Sequence, residues 1–492
     1  MDAFRLLTKG ARFDSKPNRF QTNKSKQLKS NDDNDETETK INNENHLMND
    51  EEFRTKHDIM VDGIDQIKSP IKTFDEINVN YLRENLRKGN YHQPTPIQMQ
   101  TIPLMLDRQQ LIASAPTGSG KTLAFLLPII IQLERPKSCG FRAIILAPTR
   151  ELVKQIHRES LWISEGSGLR IHMIKNVNLA SKKFNSKSKL KYDILITTPK
   201  RLEYLLLQKT INTTINIDNL EWLIIDEYDR LFQSTFMKQL STIFNICFER
   251  SSLVKLALFS ATFNQYLYDW CKLNLNNIVT IIIGERNKVV ESIEQKLIFT
   301  GNESGKLFAL KELIANGCQT PVLIFVNTVR KANFLQRELE DTMNISIDTI
   351  HSDRKQEIRD QIVRSFREGK ILFLICTELM GRGIDFKAVN LVINYDLPSS
   401  PVAYIHHVGR TGRAGRSGMA ITFYTLKNDR KNLLSILNVI RQSGFAADIP
   451  QHLQKKMIAN PKQNMETKKT KQQQKRKHFQ KYRQQHKKSK NN

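Results

Sequence analysis

Apolar residues in this chain gather in short runs, each separated from the next by a stretch where they recur at helical spacing. The runs Leu111–Ala113, Arg142–Ala147, Asp193–Thr197, Trp222–Asp226 and Lys255–Ser260 read as buried strands, and Leu123–Leu133 reads as a helix. Upstream, Val79, Leu82, Leu86, Ile97 and Ile102 fall at helical spacings punctuated by Gly89 and Pro94, so order is expected to begin near Phe74. Strands alternating with helices predict an α/β fold with a parallel, doubly wound sheet. The rhythm breaks across Ile282–Ser304 and resumes with Val322–Val326, Ile347–Ile350, Ile371–Cys376, Leu391–Tyr395 and Ala420–Tyr424. Two tandem α/β domains are therefore expected, at 71–284 and 305–450, joined by a linker at 285–304. Residues 1–70 are expected to form a disordered polar extension, since Asn31–Asn45 carries almost no apolar residue. Residues 451–492 hold fourteen Lys and Arg against the single acidic Glu466, and are expected to form a basic disordered tail.

Composition narrows the function classes. At 492 residues the chain can bury two or three cores, and its net charge of +26, from 76 basic and 50 acidic residues, calls for a polyanionic partner. The five cysteines lie far apart without paired spacing, which predicts reduced thiols in an intracellular protein and no zinc site. No apolar run is long enough to cross a bilayer, and the first thirty residues lack an apolar signal core. Neither secretion nor membrane insertion is expected.

Candidate chemistry centres on Ala115-Pro116-Thr117-Gly118-Ser119-Gly120-Lys121-Thr122, which follows a strand and opens a helix. Glycines let backbone N–H groups turn inward on phosphates, Lys121 can reach the β- and γ-phosphates, and Thr122 offers a hydroxyl to Mg²⁺. The helix start adds its positive end. Ala115 departs from the usual first glycine of a P-loop. A second element, Asp226-Glu227-Tyr228-Asp229, places carboxylates at the C-terminal end of an apolar strand, where open α/β sheets bind ligands. With ATP in the loop, Asp226 would hold the Mg²⁺ shell and Glu227 would polarise the attacking water. Arg410 and Arg413, three apart in a Gly-Arg cluster, would face one side of a helical turn and reach across a cleft to the γ-phosphate.

In their order, these motifs resemble the DEAD-box ATP-dependent RNA helicases, and the resemblance covers roughly Phe74 to Pro450. It implies two RecA-like domains, ATP and Mg²⁺ as cofactors, and RNA as partner. Gln93–Gln98 resembles the adenine-reading segment, with Gln98 on the base edge and Phe74 and Tyr91 as aromatic surface. By the same resemblance Thr149 and Arg150, and Thr198 and Pro199, belong to first-domain RNA-backbone motifs. Ser260 and Thr262 belong to the segment coupling hydrolysis to unwinding. Thr377 and Gly383 lie in a second-domain motif touching RNA and nucleotide, Gln356 and Arg359 form a further RNA-side pair, Asp385 contacts the ribose, and Arg410 and Arg413 the phosphates.

There are departures. Tyr228 stands third in the namesake tetrad, and since the functional groups sit at the other three positions it is expected to leave the chemistry intact. Lys200 replaces a usual glycine, His407 a usual arginine, and the double glycine expected near Ile174–Asn178 is missing. The runs Ile171–Ile174, Trp270–Leu275 and Gly383–Lys387 resemble the nucleolar subgroup acting on the small-subunit ribosomal RNA precursor. That resemblance implies nuclear and nucleolar localisation, pre-ribosomal assembly factors as partners, and a monomeric core. Three function classes share the motif set: an RNA-dependent ATPase opening short duplexes, which is the favoured reading; an ATP-gated RNA clamp or scaffold with little strand separation; and a DNA-directed helicase.

Overall fold

The computed structural model describes residues 49–444 except 65, 185–191, 209–214, 276, 286–288, 290–291, 379–385, 387–388 and 414–415. The expected basic tail and residues 1–48 of the N-terminal extension lie outside the described residues. The chain divides into two compact units between Arg286 and Asn287.

The first unit carries β1 (Ile59–Asp62), β2 (Gln110–Ser114), β3 (Ala143–Leu146), β4 (Ile171–Met173), β5 (Ile194–Thr197), β6 (Trp222–Asp226), β7 (Lys255–Ser260) and β8 (Ile278–Ile283). They form one sheet in the order β1-β8-β2-β7-β6-β3-β5-β4. All neighbours are parallel except β1, which runs antiparallel to β8 at the edge. Successive side chains feed opposite faces: Leu111, Ala113, Ile145, Ile224 and Phe259 pack into one core, and Ile112, Ile144, Leu223 and Leu258 into the other. Burial on both faces is why these strands appear in the sequence as unbroken apolar runs.

The second unit repeats the plan with β9 (Ile293–Phe299), β10 (Val322–Val326), β11 (Ile347–Ile350), β12 (Phe373–Thr377), β13 (Leu391–Asn394) and β14 (Gly418–Tyr424). Their order is β11-β12-β10-β13-β14-β9, parallel throughout. Leu323, Phe325, Leu374 and Val392 face one core; Val322, Ile324, Phe373 and Ile393 face the other.

Two expectations need correction. The segment before residue 71 is ordered from Asp50: a helix at Asp50–Lys56, capped by Asn49 and Glu52, leads into β1. Buried Arg54 donates from Nε to Gln100 Oε1 at 2.8 Å and from its terminal nitrogen to the Lys68 carbonyl at 3.0 Å, fastening the segment to the helix Pro96–Leu106. Only tertiary partners reveal this role for an otherwise charged heptad. The expected linker 285–304, likewise, contains β9, which pairs with β14 over seven residues. On β9, Ile293 and Gln295 are buried while Glu294 and Lys296 face solvent, so its edge position gives a polar-looking sequence.

Candidate nucleotide and RNA site

β2 delivers Ser114 to the sheet's C-terminal edge, the loop turns through Gly118 (φ 79°) and Gly120 (φ 88°), and the helix Lys121–Leu133 follows. Both glycines are in the left-handed region that other residues avoid. At Gly120 the constraint is also steric, since a Cβ there would lie 2.4 Å from Gln98 Nε2. Lys121 arches over the loop and donates to the carbonyls of Ala115 at 2.7 Å and Pro116 at 2.8 Å. Its ammonium is thereby held at the root of the loop, and Thr122 sits half-buried in the first turn of the helix. Together these donors form an anion-binding cradle.

Gln98 is fully buried, and its amide braces this loop: Nε2 donates to the Gly120 carbonyl at 3.0 Å and Oε1 accepts from the Thr95 N–H at 2.9 Å. Thr95 Oγ1 adds a bond to the Ser119 carbonyl at 2.7 Å. The structure therefore brings the expected adenine-reading segment against the phosphate loop. Phe74, in contrast, is only 5% exposed and packs into the core, while Tyr91 leans on Trp162 with ring centroids 5.7 Å apart.

Asp226 ends β6, two strands from β2 across β7, and Glu227 follows in a left-handed conformation (φ 52°) that turns the chain into a short helix. Both carboxylates are buried. Burial first, and the Glu227 charge second, push the Asp226 pKa well above the usual carboxylate range, while Lys121 opposes them. Lys121 thus feels Asp226 electrostatically, and a divalent cation among these oxygens would remove the cost of the charged carboxylate. Among the described residues no cluster of three or more His, Cys, Asp or Glu side chains could cage a metal ion. The donor set of one carboxylate, one hydroxyl and ligand phosphates fits Mg²⁺, which keeps water and phosphate ligands.

Ser260 and Thr262 lie next to this loop. The Ser260 carbonyl accepts from the Ala115 N–H at 3.1 Å, its hydroxyl accepts from the Thr262 N–H at 3.1 Å, and Thr262 Oγ1 donates to Asp229 Oδ2 at 3.1 Å. The expected coupling segment is therefore bonded on one side to the phosphate loop and on the other to the last residue of the tetrad. A link missed in the sequence is Tyr228, whose buried hydroxyl reaches both Ser114 and Thr262. A large polar ring at a position this deep was the available signal.

Because β3 and β5 are neighbours, they bring two helix starts side by side. Thr149 caps the helix Arg150–Ile163, accepting from the Leu152 N–H at 3.2 Å, and Thr198 precedes Pro199 at the start of the helix Pro199–Leu206. Arg201 donates to the carbonyls of Ile174 and Lys175, taking up the turn where the double glycine is missing. Burial first, and the nearby Arg150 charge second, lower the Arg201 pKa, while Glu151 opposes them. Exposed Lys200 stands at the same edge.

In the second unit, Gln356 and Arg359 pair directly, with the guanidinium donating to Gln356 Oε1 at 2.6 Å. Thr377 closes β12, whereas Gly383 and Asp385 lie outside the described residues. The helix Pro401–Val408 ends before the arginine cluster, so Arg410 and Arg413 lie in a turn beyond it and not on a helical turn as expected. Each is oriented by a backbone carbonyl four residues back: Arg410 Nε bonds His406 O at 3.2 Å and Arg413 Nε bonds Gly409 O at 2.9 Å. His407, where the resemblance implies arginine, is buried, stacks on Phe325 at 3.7 Å, and donates from Nδ1 to Asn394 Oδ1 at 2.9 Å.

Comparison with known proteins agrees with this geometry. Residues 95–270 match the DEAD/DEAH box helicase family and residues 305–415 the helicase conserved C-terminal domain. The chain is 49% identical over 423 residues to the probable ATP-dependent RNA helicase DDX52 of Mus musculus, covering 84% of this chain and 69% of that protein. It is 40% identical over 397 residues to the ATP-dependent RNA helicase ROK1 of Saccharomyces cerevisiae, covering 78% and 69%. Among solved structures it resembles S. cerevisiae Dbp5 bound to RNA and ADP BeF3, with 28% identity, a TM-score of 0.66, and coverage of 77% of this chain and 95% of that one. It also resembles Mss116p bound to ssRNA and AMP-PNP, with 26% identity, a TM-score of 0.65, and coverage of 75% and 76%. The two parallel-sheet units are RecA-like, and the chain belongs to the DEAD-box ATP-dependent RNA helicases.

Proposed function

We infer that this helicase uses Mg²⁺-ATP to grip RNA by its backbone and open short duplexes, acting on the small-subunit ribosomal RNA precursor in the nucleolus alongside pre-ribosomal assembly factors. The observation that carries the chemistry is the phosphate loop with Lys121 within electrostatic reach of the buried carboxylate of Asp226. In this reading the loop amides from Ala115 to Gly120 and Lys121 hold the phosphates, Thr122 and Asp226 hold Mg²⁺, and Glu227 orients the attacking water. Gln98 serves the adenine, with core-packed Phe74 behind it and not as an open aromatic surface, Asp385 the ribose, and Arg410 and Arg413 the γ-phosphate. Thr149, Arg150, Thr198, Pro199, Arg359, Thr377 and Gly383 serve the RNA backbone, and Ser260 and Thr262 carry the coupling.

The ribosomal assignment is supported by the similarity to DDX52 and ROK1 and by the net charge of +26. Crosslinking in living cells followed by sequencing of the bound RNA tests it. Recovery of small-subunit precursor is expected; recovery of messenger RNA alone rejects it. Strand separation is tested on a short RNA duplex with ATP. Hydrolysis without strand release would replace the unwinding reading with that of a clamp.

A further inference from the structure

Tyr228 occupies the third place of the tetrad, where the family's name has alanine. The ring is fully buried, and it carries a hydroxyl into the junction of three segments. That oxygen lies 3.0 Å from Ser114 Oγ, the last residue before the phosphate loop, and 3.0 Å from the carbonyl of Thr262. The polarity of the chain is determined: a carbonyl only accepts, so the phenol donates to Thr262, and Ser114 therefore donates to the phenol.

We propose that Tyr228 is a positioning residue whose hydroxyl links the root of the phosphate loop to the Ser260-Ala261-Thr262 segment. Without it, those segments share the Ala115 N–H to Ser260 carbonyl bond, and the tetrad reaches the segment through Asp229 and Thr262 Oγ1. Tyr228 adds a side-chain path that joins loop, tetrad and coupling segment at one atom. Both of its bonds are at the long end of the O–H···O range, so a displacement of a few tenths of an ångström at Ser114 tightens or breaks them. Occupancy of the loop is thereby read out at Thr262. An alanine could fill neither the ring's volume nor this hydrogen-bonding role.

The inference rests on the RNA-dependent ATPase activity, and its test uses the full chain with a readout independent of duplex opening. Tyr228→Phe keeps the ring and removes only the hydroxyl. The ratio of kcat with saturating RNA to kcat without RNA is expected to fall about fivefold, the size of one neutral hydrogen bond. The KM for ATP is expected to move less than twofold. Ser114→Ala should reproduce the loss, and the double variant should lose no more than either single one, because both cut the same chain. A Tyr228→Phe protein with the wild-type ratio, or a double variant showing the product of two independent losses, overturns the proposal. Should Tyr228→Phe fail to fold, Ser114→Ala decides alone: a wild-type ratio overturns the link. A wild-type chain that hydrolyses ATP on RNA but opens no duplex sinks the unwinding reading while leaving this ratio to be judged on its own.

Discussion

Setting aside β1 and β8, the first sheet runs β2-β7-β6-β3-β5-β4 and the second, read from its opposite edge, β9-β14-β13-β10-β12-β11, with chain order matching strand for strand. β9 therefore stands where β2 stands, and β13 where β6 stands. After β2 the chain makes a glycine-rich loop and presents Lys121 at the helix start; after β6 come Asp226 and Glu227. After β9 only Thr300, Gly301 and Asn302 intervene before the helix Glu303–Ala315, and Asn302 caps it by accepting from the Gly305 N–H at 2.9 Å. Lys306, one turn in, is 1% exposed and lies 3.4 Å from Asp396, which follows β13, 3.0 Å from Glu303 and 3.9 Å from Asp429. Lys331 closes the set on Asp396 at 2.6 Å. One fold thus uses the same strand exits in two ways: the first unit rests its lysine on backbone carbonyls of a glycine-rich loop suited to a ligand's phosphates, and the second satisfies its lysine with its own carboxylates. A shorter loop and a side-chain cap are enough to make the difference, because a helix start accepts whichever anion is nearest.

The largest effects should come from breaking the first unit's exit. Glu227→Gln is expected to keep ATP bound while kcat falls by about a hundredfold or more, since only the water-orienting group changes. Lys121→Ala is expected to lose ATP binding itself. Nucleotide titration alongside steady-state ATPase assays separates the two, and wild-type turnover in Glu227→Gln would refute the assignment.

Next come the arginines. Arg413→Ala should lower RNA-stimulated kcat by at least about tenfold with a smaller change in nucleotide affinity, because guanidinium groups stabilise charge that develops in the transition state. Equal losses in affinity and kcat would mean a ground-state contact instead.

Lys306→Ala tests the other half of the comparison. Removing the buried ammonium leaves Asp396 short of one partner, and the second unit is expected to lose about 3 kcal/mol of stability, as when one side of a buried pair is deleted. Urea unfolding should register this while ATP affinity, measured separately, stays at the wild-type value. A variant that unfolds like wild type but binds ATP poorly would reverse the roles given to the two lysines.

The smallest expected effect concerns acid. His172 on β4 packs against Phe184 at 4.9 Å, and burial, with help from Lys183, His157 and Arg170, lowers its pKa to about 4. Unfolded histidine titrates near 6.5, so between pH 6.5 and about 4 the unfolded chain binds the extra proton and stability falls as pH drops. The ring is half-exposed, so the slope should be well under one full proton. His172→Phe is expected to flatten it in urea midpoints measured at pH 7 and pH 5; an unchanged slope would remove His172 as the cause.

How far this molecule can be read without coordinates differs sharply between its parts. Strands buried on both faces, such as Trp222–Asp226 and Val322–Val326, are legible because continuous burial writes itself as continuous apolarity. β9 reads as a linker because an edge strand keeps charged residues on its open side, and β1 reads as disorder because Arg54 gains its partners from residues remote in the chain. The proposed catalytic positions stand out in the sequence for a different reason: phosphate chemistry would restrict Lys121, Thr122, Asp226 and Glu227 to few residue types at narrow spacing. Tyr228 reads as neutral in the sequence because its partners, Ser114 and Thr262, are far away in the chain and meet it only across adjoining strands.

Local order in the chain therefore settles where the doubly buried strands form and which residues are candidates to meet phosphate, because hydrophobic period and backbone turn chemistry act over a few neighbouring residues. Which lysine is answered by buried carboxylates, whether a polar segment is an edge strand or a linker, and what a tetrad tyrosine touches depend on groups far apart in sequence. Those contacts exist only once the sheets have brought β2, β6 and β7, or β9, β13 and β14, side by side. Burial then makes any polar group that lacks a partner too costly to keep, and this selects the pairing that is seen.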